Sequence, residues 1–333
     1  MNSKKTLVVS IKILVVAAVV LLAPKARAVT LIPPSMEFSV NPGEVIETNV
    51  KLFNETAETV TQYPSTANFT AKDETGVPDF DLESAPADLA SWVTIGAGPY
   101  VLEPGSRQTI PVTITVPAAA EPGGHYAGIF FSGTPPEGAS DQPQIAIASK
   151  IGSLVLIRVA GQIQEAGSIT SFGTALGRTS FSRLPIDFVL RMQNDGNVHF
   201  RPTGNVTVRN VLGGTSTVLA MNQTLGAVLP ASTRRFDVSW EKMPNAAERG
   251  GFFSEIAAEW DNFAFGPYTA SVDLMYGQAN DKSATATFQF WVFPWRVMLI
   301  SLLVLAAVVF LIILLIRRYN RWLISRIQGT KNE

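Results

Sequence analysis

No cysteine occurs among the 333 residues, which excludes disulfides, thiol nucleophiles and thiolate metal ligands together. Any exported part of the chain must hold itself together by burial, and cores of ordinary domain size can do so. Histidine is almost as scarce, with only His125 and His199. That leaves neither a His/Cys zinc set nor an H-E-x-x-H helix. Charged residues make up 16 % of the chain and the formal net charge is -1, so there is no electrostatic footprint for nucleic acid. No G-x-S-x-G elbow is present, and no Ser and Asp are arranged around either histidine. The chain reads as a non-enzyme with no cofactor.

Long apolar runs, by contrast, stand at both ends. Lys4 and Lys5, an apolar stretch from Leu7 to Ala23, and Ala26-Arg27-Ala28 have the three parts of a secretory signal, so residues 1–28 are expected to be removed. Val297 to Ile316 carries no charge, and at 1.5 Å per residue it reaches across a hydrocarbon core of roughly 30 Å. Arg317, Arg318 and Arg321 follow it directly, which places the C-terminus in the cytoplasm, and Trp295 suits the outer headgroup layer. The expectation is a single-pass type I membrane protein with residues 29–293 outside, a helix over 295–316 and a basic tail over 317–333.

The exported part alternates with period two. Ile46, Thr48, Val50 and Leu52 form one apolar face; Ile110, Val112, Ile114 and Val116 form another, with Pro111 suggesting either an edge strand or a position whose backbone points to solvent. Further faces run through Ile186 to Met192, Phe236 to Trp240, Tyr268 to Tyr276 and Ala286 to Val292. Gly, Pro, Asn and Asp punctuate these strands. Two passages share one plan: a strand ending at Asn54 precedes Pro104-Gly105-Ser106, and a strand ending at Asn194 precedes Pro230-Ala231-Ser232. The fold expected is all-β, two tandem immunoglobulin-like sandwiches over 29–162 and 163–293 followed by the transmembrane helix.

Several motifs add a family resemblance. VNPGE at Val40 to Glu44, LFNET at Leu52 to Thr56, SWV at Ser91 to Val93, LEPG at Leu102 to Gly105 and EPGGHYAGIFFSG at Glu121 to Gly133 together resemble the peptidoglycan-binding domain of the WxL protein-interacting family. NDGNVHFRPTGNVTV at Asn194 to Val208 resembles a signature of similar membrane-anchored bacterial proteins. The resemblance implies a bacterial cell-surface protein that binds cell-wall peptidoglycan or a secreted surface protein and serves adhesion. An alternative from another class is an accessory subunit of an envelope or secretion complex, docking through its membrane helix.

Candidate ligand-binding residues are Trp92, His125 and Tyr126 in the first domain, and Asn197, His199 and Arg201 in the second. Each also has a structural reading, which is the stronger one. Trp92 can plug the core, His125 can brace a turn through its two ring nitrogens, and Asn-Gly corners fix sandwich geometry without a partner. Asp79, Asp81 and Glu83 are a weak calcium candidate, since carboxylates at alternate positions also make an ordinary solvated face. Phe252, Ile256 and Trp260 fall on one face of a short helix; folded inward it is a cap, the favoured reading, and exposed it meets a partner or the outer leaflet.

Overall fold

The computed structural model describes residues 28–80, 88–135, 150–242 and 251–329. They form two compact units. The first comprises the chain up to Thr70 together with Phe80–Gln162, and the second comprises Ala71–Asp79 and the chain from Ile163 onward.

In the first unit, β1 (Val29–Ile32), β3 (Val45–Asn54), β9 (Arg107–Thr115) and β7 (Val93–Ile95) make one sheet in the order β1-β3-β9-β7. The facing sheet holds β2 (Ser35–Val40), β11 (Lys150–Val159), β10 (Gly123–Ser132), β4 (Val60–Asn68) and β8 (Tyr100–Leu102), in that order. The chain changes sheets at Pro33-Pro34. Before the prolines it pairs antiparallel with β3, and after them parallel with β11; two residues without an N–H donor cannot continue one ladder. Val50, Leu52, Ile110, Val112 and Ile114 meet Ala127, Ile129, Phe131, Val155 and Ile157 in the core. The expected alternation holds, but β9 is interior rather than an edge. Pro111 falls just past the last β7 pair, Ile95 with Val112, so its missing N–H interrupts no bond.

In the second unit, β12 (Gly167–Thr174), β14 (Ile186–Asn194) and β17 (Thr233–Trp240) form a three-stranded sheet. Against it lie β13 (Ser180–Phe181), β19 (Lys282–Val292), β18 (Gly266–Tyr276), β15 (Thr203–Asn210) and β16 (Thr215–Met221), in that order. Phe188, Leu190, Met192, Val206, Val272 and Phe290 fill the space between the sheets. Both units are therefore immunoglobulin-like sandwiches, in agreement with the all-β expectation. Among the described residues three helices accompany the strands: α1 (Leu89–Trp92) in the first unit, and α2 (Phe252–Asp261) and α3 (Trp295–Gly329) in the second. Residues Trp295–Trp322 of α3 are long and apolar enough to cross a membrane; Val297 in its first turn is buried, and the large apolar side chains from Leu302 to Trp322 are exposed.

Candidate functional site

The two corner asparagines explain much of what the sequence motifs contain. Asn54 is wholly buried; its Nδ2 donates to the carbonyls of Glu58, Leu102 and Glu103 at 2.8, 3.0 and 3.1 Å, and its Oδ1 accepts from the Thr56 N–H at 2.9 Å. Asn194, equally buried, donates to the carbonyls of Val198 and Val228 at 2.8 and 2.9 Å and accepts from the Gly196 N–H at 2.9 Å. The backbones repeat as well. Asn54 pairs with Ser106 and Gly105, and Asn194 with Ser232 and Ala231. Gly105 and Ala231 occupy the same turn position with φ of +71° and +53°, so the second copy keeps a left-handed turn without glycine. The similar order of motifs is thus a shared sandwich corner.

His125 is half of a clamp. Its Nδ1 lies 2.6 Å from Asp88 Oδ1 and its Nε2 2.9 Å from the Glu121 carbonyl. Both partners only accept, so the protonated ring, in which both nitrogens donate, satisfies both contacts at once. Burial alone would push its pKa down, but the Asp88 hydrogen bond, the Glu121 carbonyl and the nearby carboxylates outweigh that and raise it. Trp92 packs at 4.6 Å over the same ring. Leu89, not Trp92, is the fully buried plug of α1. Tyr126 is nearly buried and rests on Phe69 at 5.8 Å; its hydroxyl crosses the face of Gly124, where any Cβ would collide with it. Trp92 and His125 are thus brought together, whereas Tyr126, the next residue along β10, turns to the other face of the sheet.

The residues of the second candidate group are each held within the fold. Asn197 Oδ1 accepts from the Gln164 N–H at 2.8 Å, His199 is 3 % exposed, and Arg201 donates to the Leu225 carbonyl at 2.6 Å. Of the calcium candidate, Asp79 lies in β6 (Pro78–Asp79), while Asp81 and Glu83 fall outside the described residues. Arg317, Arg318 and Arg321 lie on the exposed C-terminal half of α3, and Trp295 opens that helix.

Two features escaped the sequence reading. One is a groove of about 840 Å³ in the second unit, between β16 and β17. Each of these strands ends its sheet, so the groove runs between two open edges. Val218, Leu219, Phe236 and Val238 give it apolar walls, and Arg234, Arg235, Asp237 and Glu241 give it charge of both signs. The Arg235 N–H already donates from the β17 edge to the Glu74 carbonyl at 2.7 Å, and Glu74 is held by Arg191 at 2.6 Å. Alternation along a strand then turns the N–H and C=O of Asp237 and Ser239 toward the same open side. Arg234 donates to the Ala227 carbonyl, yet its buried Nε–H has no acceptor; burial, then repulsion from Arg201, lowers its pKa. No sequence pattern marks this groove, because only the sheet order tells which strands are left unpaired.

The other is the base of α3. Glu259 is fully buried. Its Oε2 accepts from the N–H groups of Arg296 and Val297 at 3.0 and 3.1 Å, and its Oε1 from Arg296 Nη1 at 2.7 Å. These are free donors of the first turn of α3, where a carboxylate also meets the positive end of the helix dipole. One turn earlier, Glu255 binds Arg183 at 2.6 Å, and that hydrogen bond, with the attraction of Arg183 and Arg296, lowers its pKa. The aromatic-face expectation for this helix is therefore corrected. α2 turns Ala258 and Glu259 inward and leaves Trp260 67 % exposed, because the helix start beside it needs an anion more than the core needs another ring. Glu255 and Glu259 at i and i+4 were the available signal.

No family model matches the chain, and no curated protein does. Among solved structures, the class 5 fimbriae chaperone CfaA aligns at 10 % identity over 79 % of this chain and 99 % of its own, with a TM-score of 0.36. A Salmonella enterica SafA pilin in complex with the SafB chaperone aligns at 11 % over 81 % and 99 %, with a TM-score of 0.35. The E. coli chaperone DraB aligns at 9 % over 79 % and 97 %, with a TM-score of 0.34. Likeness this low leaves open what the chain binds. These findings correct the expected family: the neighbours are fimbrial chaperones, not WxL-type surface proteins. The expected binding of peptidoglycan or a surface protein, the wall and adhesion roles, and the accessory-subunit alternative are overturned with it. The physical reason is visible in the motifs, whose Asn54, Gly105, Gly124 and Asn194 serve the sandwich corners and close packing themselves.

Proposed function

We propose that this protein is a non-enzymatic, membrane-tethered binder of extended polypeptide, and that the β16–β17 groove takes a partner segment as an added strand. The observation that carries the reading is the pair of open edges flanking the groove, one of which already donates to a peptide carbonyl, that of Glu74. Strand addition draws affinity from main-chain hydrogen bonds and specificity from alternate side chains. The apolar wall and the mixed charges of the groove suit a segment that alternates apolar and polar residues. Tethering is supported by the apolar stretch of α3 and by Arg317, Arg318 and Arg321 after it, which favour a cytoplasmic C-terminus.

The test is a displayed library of extended peptides screened against the full chain in detergent, with amide exchange read on the bound complex. Binders are expected to slow exchange at Asp237 and Ser239. Asp237→Pro removes an outward donor, which an edge strand tolerates, so it should abolish capture without unfolding the sandwich. Val238→Pro instead breaks the β14 ladder and should unfold it. Binders that leave the β17 amides unprotected, or that bind Asp237→Pro equally well, would refute strand addition.

A further inference from the structure

The strand register shows which loops share an end of the second sandwich. Tyr268 pairs with both Asn210 and Phe290, Gly266 with Val292, and Ile186 with Trp240; the Trp240 and Tyr268 rings lie 5.2 Å apart. The β15–β16 turn, the connection that follows β12, and α2 with its exit loop therefore converge where β19 runs through Phe293-Pro294 into α3. Apolar side chains crowd the surface of this end. Leu212 is 90 % exposed, Leu176 73 %, Val211 72 % and Trp260 67 %, with Phe263 and Phe265 also out. This collar of exposed apolar side chains gathered on one end marks an interaction surface, whereas isolated exposed apolar residues are ordinary. The opposite end turns on Gly277-Gln278-Ala279-Asn280-Asp281, and its exposed large apolar side chains are Leu225 and Met275.

We infer that this collar rests in the outer headgroup layer of the bilayer that α3 enters, so that the second sandwich sits on the lipid through Val211, Leu212, Trp260 and Leu176. The inference rests on reading α3 as a membrane span. Continuity selects lipid as the occupant. β19 ends at Val292 and α3 begins at Trp295, and the three bonds from Glu259 fasten α2 to the first turn of α3. Wherever the outer end of the span lies, Trp260 lies beside it. Tryptophan and phenylalanine with a polar backbone nearby suit that interface, where an amphipathic surface is half solvated. The collar is built on three separate turns and a helix, so the sandwich would stand on several points instead of pivoting on one linker.

The absence of cysteine permits a direct test on the full chain. Leu212→Cys, Trp260→Cys, Val304→Cys and Ala279→Cys are each labelled with an environment-sensitive fluorophore and reconstituted in vesicles of phosphatidylcholine with some phosphatidylglycerol. Lipids brominated near the headgroup or deep in the chains act as quenchers. The labels at 212 and 260 are expected to lose roughly half their emission to the shallow quencher, with 279 unaffected and 304 quenched from the deep position. A water-exposed label at 304 that neither quencher reaches would overturn the span and this inference together. Quenching at 304 with 212 and 260 behaving like 279 would overturn the collar alone and assign that end to a protein partner. Leu212 is almost fully exposed, so its replacement cannot fail through loss of packing.

Discussion

Asn54→Ala removes a side chain that joins three stretches of the first sandwich, and the cost can be worked from its partners. The amide carries two hydrogens shared among the carbonyls of Glu58, Leu102 and Glu103, and its oxygen holds the Thr56 N–H. The Asn54–Leu102 bond is buried, so water does not replace it without rearrangement. Stranding two such groups at the low end of the usual cost for a buried unpaired donor or acceptor amounts to about 2 kcal/mol. Asn54→Asp keeps the shape but turns an oxygen toward three carbonyl oxygens and buries a charge. It is expected to be worse than alanine at neutral pH, and partly rescued below about pH 4, where the protonated acid can donate again. The assay is urea unfolding of the full chain in detergent, followed by amide exchange in β3 and β9. An aspartate variant within about 1 kcal/mol of wild type would refute the assignment of that amide as the corner's organising group. Asn194→Ala should behave alike in the second sandwich.

Three further outcomes follow from other contacts. The folded pKa of His125 is raised, so the stabilisation its Asp88 bond contributes is fully present below the unfolded value of about 6.5 and is lost as pH rises through the folded value. Asp88→Asn should therefore destabilise by about 1 kcal/mol in acid and by less in base, and a cost independent of pH in urea titrations would exclude the imidazolium. Ala231→Gly relieves a left-handed alanine at φ +53° and should stabilise by about 0.5 kcal/mol after the entropy that glycine adds to the unfolded chain; a loss of stability would show that the alanine methyl packs usefully. Glu259→Gln offers one carbonyl oxygen where two backbone donors and a guanidinium now meet a carboxylate. It should weaken that junction by about 3 kcal/mol and speed amide exchange in α2 while β14 stays protected, so unchanged exchange in α2 would refute the clamp.

Most of the fold was legible because β-strands on a core announce themselves with period two. Ile110, Val112, Ile114 and Val116 are all buried, as are Ile186, Phe188, Leu190 and Met192. The paired corners at Asn54 and Asn194 were legible too, since turn formers beside a strand end are local chemistry. Pro111 left an interior strand and an edge strand both open, because the proline itself does not reveal whether its neighbour strand reaches that far. The α2 helix misled: apolar residues at 252, 256 and 260 looked like a core face, while the buried face carries Glu259, whose carboxylate accepts from the N–H groups of Arg296 and Val297. The family resemblance failed for a related reason, as its motifs encode corners and turns that sandwich domains need whatever they bind.

The sequence by itself determined the class of the molecule: no thiol chemistry, two repeated β-sandwich plans, and one long apolar helix with a basic tail. Those follow from composition, from a two-residue period and from segment length, which are properties of neighbours along the chain. Which strands were left unpaired, which nitrogen of His125 meets which oxygen, and which end of the second sandwich gathers Leu176, Val211, Leu212 and Trp260 depended on pairings between residues many positions apart. Only the tertiary structure decided these, because an open edge or an apolar collar exists only once distant segments have been placed side by side.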